Sequence, residues 1–300
     1  MADKNYILCP GQGAQHVGMG KDFAEVSDAA RQTFEQADAL MPGLSSYCLD
    51  GPEETLNQTD VSQPAIFTAS VACHRAADLP TPTALAGLSL GEYTALHLAS
   101  VFDFDTGLRL VQARGRYMQD AATAMPSGMV SLLGGDEEQV TALCEKAAEG
   151  EVLVPANFNC PGQIVVSGTL SACDRVAKLA ADDGLRVFPL KVAGAFHSPL
   201  MQPAAEQMGE LLDQMIFNEP VVPVWSNVTA ELHGSVDEIK RRLIEQITQP
   251  VRWSQTMKKL VGDGASFTEL APGRVLTGLM KKIDRKAPVR TLNTAGALDG

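Results

Sequence analysis

The stretch Ala84-Leu85-Ala86-Gly87-Leu88-Ser89-Leu90-Gly91-Glu92-Tyr93-Thr94-Ala95-Leu96-His97-Leu98-Ala99 decides how the chain is read. Ala84 to Ala86 is a short apolar run long enough for a buried strand, and Glu92 to Ala99 is good helix-forming sequence. Between them stands Gly87-Leu88-Ser89-Leu90-Gly91, a G-x-S-x-G sequence. A serine on a tight strand-to-helix turn has its hydroxyl pushed out of the sheet, and glycines two residues either side let strand and helix pass closely. The N–H of Leu90 then lies at a helix N-terminus, where it can stabilise an oxyanion. The prediction is an α/β fold with a nucleophile elbow at Ser89. The same five residues also occur in ordinary loops, so the rest of the chain has to support this reading.

Three hundred residues suffice for one large domain, or for one that carries an inserted lobe. The composition, 45% apolar and 20% charged, is that of a soluble globular protein. No stretch approaches the roughly 18–20 uninterrupted apolar residues of a membrane span. Met1 to Asn5 is polar and leads straight into a strand, so no signal peptide is expected. The six cysteines (Cys9, Cys48, Cys73, Cys144, Cys160, Cys173) form no C-x-x-C pair, which argues against a zinc or redox motif and predicts reduced thiols in a cytoplasmic protein. The net charge of −12 comes with no basic block of the kind that marks a nucleic-acid surface. Neither a metal nor a bound cofactor is expected, and a monomer is the expected state.

Tyr6 to Cys9 reads as a first buried strand, followed by the glycine loop Pro10-Gly11-Gln12-Gly13-Ala14-Gln15. A dinucleotide fingerprint would need a third glycine where His16 stands, and a phosphate loop would need Gly-Lys-Ser/Thr. What remains is a tight turn, or backbone N–H groups brought near a ligand with Gln12 as donor. Residues 23–40 and 62–78 look helical, the second starting at Ser62 or Gln63 with Pro64. Asp103 to Ala122 is a further helix with one anomaly. At about 3.6 residues per turn, Gly107, Leu108, Val111, Gly115 and Met118 share an inward face, and Arg114 falls within it. A guanidinium there needs a partner, because burying it unpaired is costly. Either a protein carboxylate or an anionic ligand could serve, and the planar fork matches a carboxylate two bonds at a time.

From Gly128 to Val192 the pattern becomes β-α-β-β-α-β, the ferredoxin-like order, which reads as a lobe inserted into the larger domain. The expected division is residues 1–126 and 194–300 for the large subdomain and 127–193 for the small one. Ser198 and Pro199 fit the start of a helix, which puts His197 on the loop before it. The other histidines, His16, His74, His97 and His233, read as structural or exposed. Val221 to Trp225 reads as a strand near a sheet edge because it contains Pro223. Gln246 lies in the last turn of a helix. Lys281, Lys282, Arg285 and Lys286 form the dense basic cluster of the chain, read either as charge compensation at a helix C-terminus or as a docking spot for an acidic partner.

Taken together, several of these stretches resemble the malonyl-CoA:acyl-carrier-protein transacylases, the acyltransferases of fatty-acid and polyketide synthesis. They are Pro10-Gly11-Gln12-Gly13-Ala14-Gln15, Gly87-Leu88-Ser89-Leu90-Gly91-Glu92-Tyr93, Gln112-Ala113-Arg114-Gly115 and Asn157-Phe158-Asn159-Cys160-Pro161-Gly162-Gln163. Ala195-Phe196-His197-Ser198, Asn227-Val228-Thr229, Pro250-Val251-Arg252-Trp253 and Pro272-Gly273 continue the series in the family's order. The resemblance implies an α/β-hydrolase-like large subdomain interrupted by a ferredoxin-like small one. It makes Ser89 the nucleophile, His197 its general base and Gln246 the residue whose backbone carbonyl orients the histidine. By the same match the amides of Gln12 and Leu90 form the oxyanion hole, and Arg114 binds the free carboxylate of a malonyl group, with Met118 and Phe196 beside it at the substrate. Leu88 stands where most members have histidine, and because the elbow needs no side chain there, activity is expected to survive. The implied substrates are malonyl-CoA and an acyl carrier protein. The alternative is a serine hydrolase or thioesterase, for which Asp182 and Asp183 are the carboxylates available between serine and histidine.

Overall fold

The computed structural model describes residues 4–262 and 264–298. Its strands are β1 (Lys4–Cys9), β2 (Ala84–Gly87), β3 (Ser127–Leu133), β4 (Leu153–Cys160), β5 (Gln163–Thr169), β6 (Arg186–Pro189), β7 (Ala265–Leu270) and β8 (Val289–Leu292). They form two sheets. One is parallel, in the order β2-β1-β7-β8, and the other is antiparallel, in the order β4-β5-β3-β6. In the parallel sheet Ile7 and Leu85 pack into one apolar cluster, and Tyr6, Leu8, Ala84, Ala86 and Phe267 into another on the opposite face. Coverage of both faces is what an all-parallel sheet requires.

The antiparallel sheet is made from one continuous stretch, and the helices Glu137–Ala148 and Leu170–Asp182 cover one of its faces. Period-two alternation divides its side chains: Val130, Leu132, Ile164 and Val166 meet those helices, whereas Met129 and Val165 turn toward the rest of the molecule. Strand β4 is tied to the segment between the helices Val236–Thr248 and Trp253–Leu260, where Phe158 N–H donates to the Val251 carbonyl at 2.9 Å and Val251 N–H to the Ala156 carbonyl at 2.8 Å.

Three local expectations are corrected. The helix placed at 62–78 runs Thr59–Ala76 with Pro64 inside it, because Ser62 to Cys73 are all buried and their packing outweighs the lost hydrogen bond. The helix placed at 23–40 is two, Lys21–Val26 and Asp28–Leu40, since Ser27 is extended and its side chain accepts from Ala30 N–H. Val221 to Trp225 forms only isolated bridges, Val224 with Leu85 and Trp225 with Leu232; Pro223 has no N–H to give a ladder. The helices Leu44–Leu49 and Glu53–Leu56 and the edge strand β8 are additions to the reading.

Candidate active site

Ser89 sits between the end of β2 and the helix Leu90–Leu98, with φ 53° and ψ −106°. Such a backbone is strained for a residue with a Cβ, and it is kept because the surroundings fix it from every side. A Cβ on Gly87 would lie 1.9 Å from the carbonyl carbon of Gly91, and one on Gly91 would lie 2.1 Å from the carbonyl oxygen of Cys9. Strand, turn and helix therefore pass at a distance only glycine permits. Asn227 closes the turn: its Oδ1 accepts from Ser89 N–H at 2.6 Å and its Nδ2 donates to the Gly87 carbonyl at 2.7 Å.

The Ser89 hydroxyl points at His197, with Oγ 2.8 Å from Nε2. His197 is held on its loop by Ser198, whose hydroxyl donates to the Ala195 carbonyl at 2.6 Å and whose side chain caps the short helix Pro199–Met201. On the far side of the ring, Nδ1 lies 2.7 Å from the backbone carbonyl of Gln246. A carbonyl can only accept, so Nδ1 carries the proton and the lone pair of Nε2 faces the serine. Gln246 can offer that carbonyl because the helix Val236–Thr248 ends just beyond it, and the last four carbonyls of a helix have no partner within it. Burial and then the nearby Arg114 charge push His197 down to about 4, against the opposing pull of the Gln246 and Gln249 carbonyls. The imidazole is thus neutral at physiological pH and ready to accept a proton.

Arg114 comes from the inward face of the helix Phe104–Thr123 and is 1% exposed. A Cβ on Gly115 would be 2.7 Å from the Thr59 carbonyl, so this helix lies close against the start of Thr59–Ala76 and brings Gln63 to the guanidinium. Arg114 donates to Gln63 Oε1 at 2.7 Å, to Gln246 Oε1 at 2.9 Å and to Ser89 Oγ at 3.0 Å, and lies over the Tyr93 ring. Each of those acceptors is neutral, and Nε has no partner among the described residues. Of the two partners open to it in the sequence, a protein carboxylate in direct contact is therefore not what Arg114 has. A buried cation whose contacts are neutral, beside a serine hydroxyl, can take an anionic group.

Ser89, His197 and Arg114 share a cavity of about 500 Å³ with Gln12, Met118 and Phe196. Its opposite wall comes from the antiparallel sheet and the segment after it, including Met129, Asn157, Asn159 and Lys191. The Gln12 loop lies against the elbow: a Cβ on Gly11 would be 2.2 Å from the Leu88 carbonyl. Leu90 begins the helix after Ser89 with its side chain wholly buried, so its backbone N–H is what it can offer to the site. Asp182 and Asp183 are exposed at the end of their helix, and the acceptor they would supply to His197 is the Gln246 carbonyl instead.

The basic cluster divides. Val275 and Leu279 of the helix Val275–Ile283 line the cavity, and Lys282 from the same helix donates to Gln163 Oε1 at 2.9 Å, a residue of the cavity wall. Lys281 and Arg285 are exposed, and Lys286 faces a different surface depression with Gly262 and Pro288. Sequence reasoning missed Gln63, Lys191 and the buried Glu92, whose carboxylate lies 2.6 Å from His233 Nε2. His97 is packed as expected, its Nδ1 3.0 Å from the Phe102 carbonyl among aromatic rings. All six cysteines are free and buried, and burial pushes their thiols up, so none competes as a nucleophile. No helix among the described residues is long and apolar enough to cross a membrane.

Residues 6–299 match the model of the acyl transferase domain family. The malonyl CoA-acyl carrier protein transacylase of Bacillus subtilis (strain 168) is 42% identical over 287 residues, covering 93% of this chain and 90% of that protein. The solved malonyl CoA-acyl carrier protein transacylase of Coxiella burnetii superposes with a TM-score of 0.95 at 36% identity, over 99% of this chain and 96% of that one. A malonyl-transacylase solved in complex with its holo type II PKS acyl-carrier protein superposes with a TM-score of 0.94 at 36% identity, over 99% and 98%.

Proposed function

The chain belongs to the acyl transferase family, among its malonyl-CoA:acyl-carrier-protein transacylases, and from that premise we propose that it passes a malonyl group from malonyl-CoA to the phosphopantetheine thiol of an acyl carrier protein through an ester on Ser89. The observation that carries this is the meeting of the Ser89–His197 pair with a buried arginine that has no carboxylate of its own. The malonyl carboxylate supplies that missing partner, which fixes the thioester carbonyl over the serine hydroxyl.

Ser89 Oγ attacks the thioester carbon while His197 Nε2 takes the hydroxyl proton. The oxyanion that forms is held by the N–H groups of Gln12 and Leu90. As the tetrahedral intermediate collapses, the carbon–sulfur bond breaks and His197 returns its proton to the departing coenzyme A thiol. In the second half, the carrier thiol gives its proton to His197 and attacks the ester. Ser89 then leaves and takes that proton back. Gln246, as a neutral acceptor, fixes the tautomer without stabilising the imidazolium as a carboxylate would. No step requires a metal or a bound cofactor. We assign Met118 and Phe196 to the acyl-binding wall, and residues 127–193 to a ferredoxin-like lobe inserted in an α/β-hydrolase-like body that completes the cleft. A closed cleft excludes water from the ester, which favours transfer over hydrolysis. Initial rates measured against both substrates test this order of events: parallel double-reciprocal lines are expected, and lines that intersect would contradict an ester intermediate.

Two further outcomes follow from the site. Protonated His197 cannot act as a base, so kcat/KM falls as pH drops through its pKa in the free enzyme. With that value near 4, the acid limb lies well below the ordinary histidine range. Arg114→Ala removes one cause of the depression and should move the limb upward, measured for both enzymes with acetyl-CoA. An unmoved limb would separate Arg114 from the base. Reversing the charge of Lys281 and Lys282, at the end of the helix that lines the cavity with Val275 and Leu279, is expected to raise the KM for carrier protein about threefold to tenfold and leave that for malonyl-CoA unchanged. Equal KM values for the carrier would reduce the cluster to compensation of its helix C-terminus.

A further inference from the structure

Glu92 is fully buried one turn after the nucleophile and is used by no step above. Its Oε1 faces His233 Nε2 at 2.6 Å, and its Oε2 accepts from Asn227 N–H at 3.1 Å and from Gln246 Nε2 at 2.6 Å. Asn227 is the residue that clamps the strained turn at Ser89. Gln246 is the residue that binds both Arg114 and His197, the first through its side-chain oxygen and the second through its backbone carbonyl. One carboxylate thus ties together the two supports of the site.

We propose that Glu92 is a positioning residue, which sets Arg114 for the substrate carboxylate by fixing which way the Gln246 side-chain amide points. The proposal rests on the transacylase reading above. An amide has one accepting and one donating end, and only the accepting end can face a guanidinium. The donating end of Gln246 is held by Glu92 Oε2 and by the Ser89 carbonyl at 3.0 Å, both acceptors. The bond to Glu92 is the charge-assisted one and therefore the stronger. It leaves Gln246 Oε1 directed at Arg114.

The spacing also answers a conflict in the site. A carboxylate in direct contact would occupy the fork that the substrate must use. With no carboxylate near, burial would work against the charge the fork needs. Glu92 stands one amide away, and its charge opposes the downward push of burial on Arg114. The acceptors that touch the fork are neutral, so an incoming carboxylate can displace them.

The test compares the rates at which Ser89 is acylated by malonyl-CoA and by acetyl-CoA, the second lacking the free carboxylate, in wild type, Glu92→Gln and Gln246→Leu. The ratio of the two rates does not depend on the fraction of enzyme folded, so a merely structural loss leaves it unchanged. Wild type should favour malonyl, and in both variants the preference should fall about tenfold or more, the worth of one charge-assisted hydrogen bond. If Glu92→Gln yields no folded protein, Gln246→Leu decides, because it removes the amide and keeps the backbone carbonyl for His197. A wild-type preference retained in either folded variant overturns the proposal alone. A wild type with no malonyl preference overturns the transacylase reading, and this proposal with it.

Discussion

Replacing Ser89 with alanine is expected to lower malonyl transfer by about 10⁴-fold or more, the scale of loss when a serine nucleophile is removed from its base. The size follows from the absence of a substitute among the described residues. The six thiols are buried and pushed toward their protonated form, and the His197 Nε2 lone pair is directed at the Ser89 oxygen itself. Alanine keeps the Cβ, and the backbone of the turn remains held by Asn227 through main-chain atoms, so the fold and the cavity should survive. The unfolding temperature should therefore stay within a few degrees of wild type while the rate collapses. A variant that folds normally and retains more than about a tenth of the rate would remove Ser89 from the reaction.

Arg114→Ala is expected to reduce kcat/KM for malonyl-CoA by about 10²- to 10³-fold, the worth of a desolvated bidentate pair in a buried site. Acetyl-CoA makes no such pair, so its kcat/KM should change by less than about tenfold. The separation between the two substrates is the informative quantity. A loss common to both would mean that the arginine acts through the Ser89 hydroxyl, to which it donates at 3.0 Å, and not through the substrate. The truncation also strips partners from Gln63 Oε1 and Gln246 Oε1 in the interior, so a lower unfolding temperature accompanies it. Activity should accordingly be compared at a temperature where both proteins are fully folded.

Part of this site is legible in the sequence. The glycines around Ser89 announce a close approach that the structure locates, against Gly91 and Cys9. Arg114 stood out because a cation on the apolar face of a periodic helix is an anomaly, and it is 1% exposed. His197 was marked by the Ser-Pro that follows it, which starts a helix. Gln246 left a weaker trace. Its contribution to His197 is a backbone carbonyl, which any residue possesses, so only the family pattern could single it out. Glu92 lies within a family stretch but carries no sign of a role there, because a glutamate in the first turn of a helix is ordinarily a solvated complement to the dipole. It is buried here because Gln246, Asn227 and His233, distant in sequence, close over it.

The same contrast runs through the fold. Caps formed by neighbouring residues, such as Asp136 accepting from Gln139 N–H and Asp103 from Thr106 N–H, follow from local chemistry and match the sequence. The helix from Thr59 does not, since proline at 64 reads locally as a first-turn residue. Contacts from elsewhere in the chain bury the segment and extend the helix past that signal. Val224, likewise, has strand sequence but pairs with Leu85 only through a single bridge, because the prolines around it interrupt the ladder.

The most direct test is to map the covalent product. The protein, exposed briefly to malonyl-CoA, quenched and digested, should carry one malonyl group as an ester on the peptide containing Ser89, and holo acyl carrier protein should discharge it as malonyl-carrier. A malonyl group on another residue, or an ester on Ser89 that only water removes, would contradict the account.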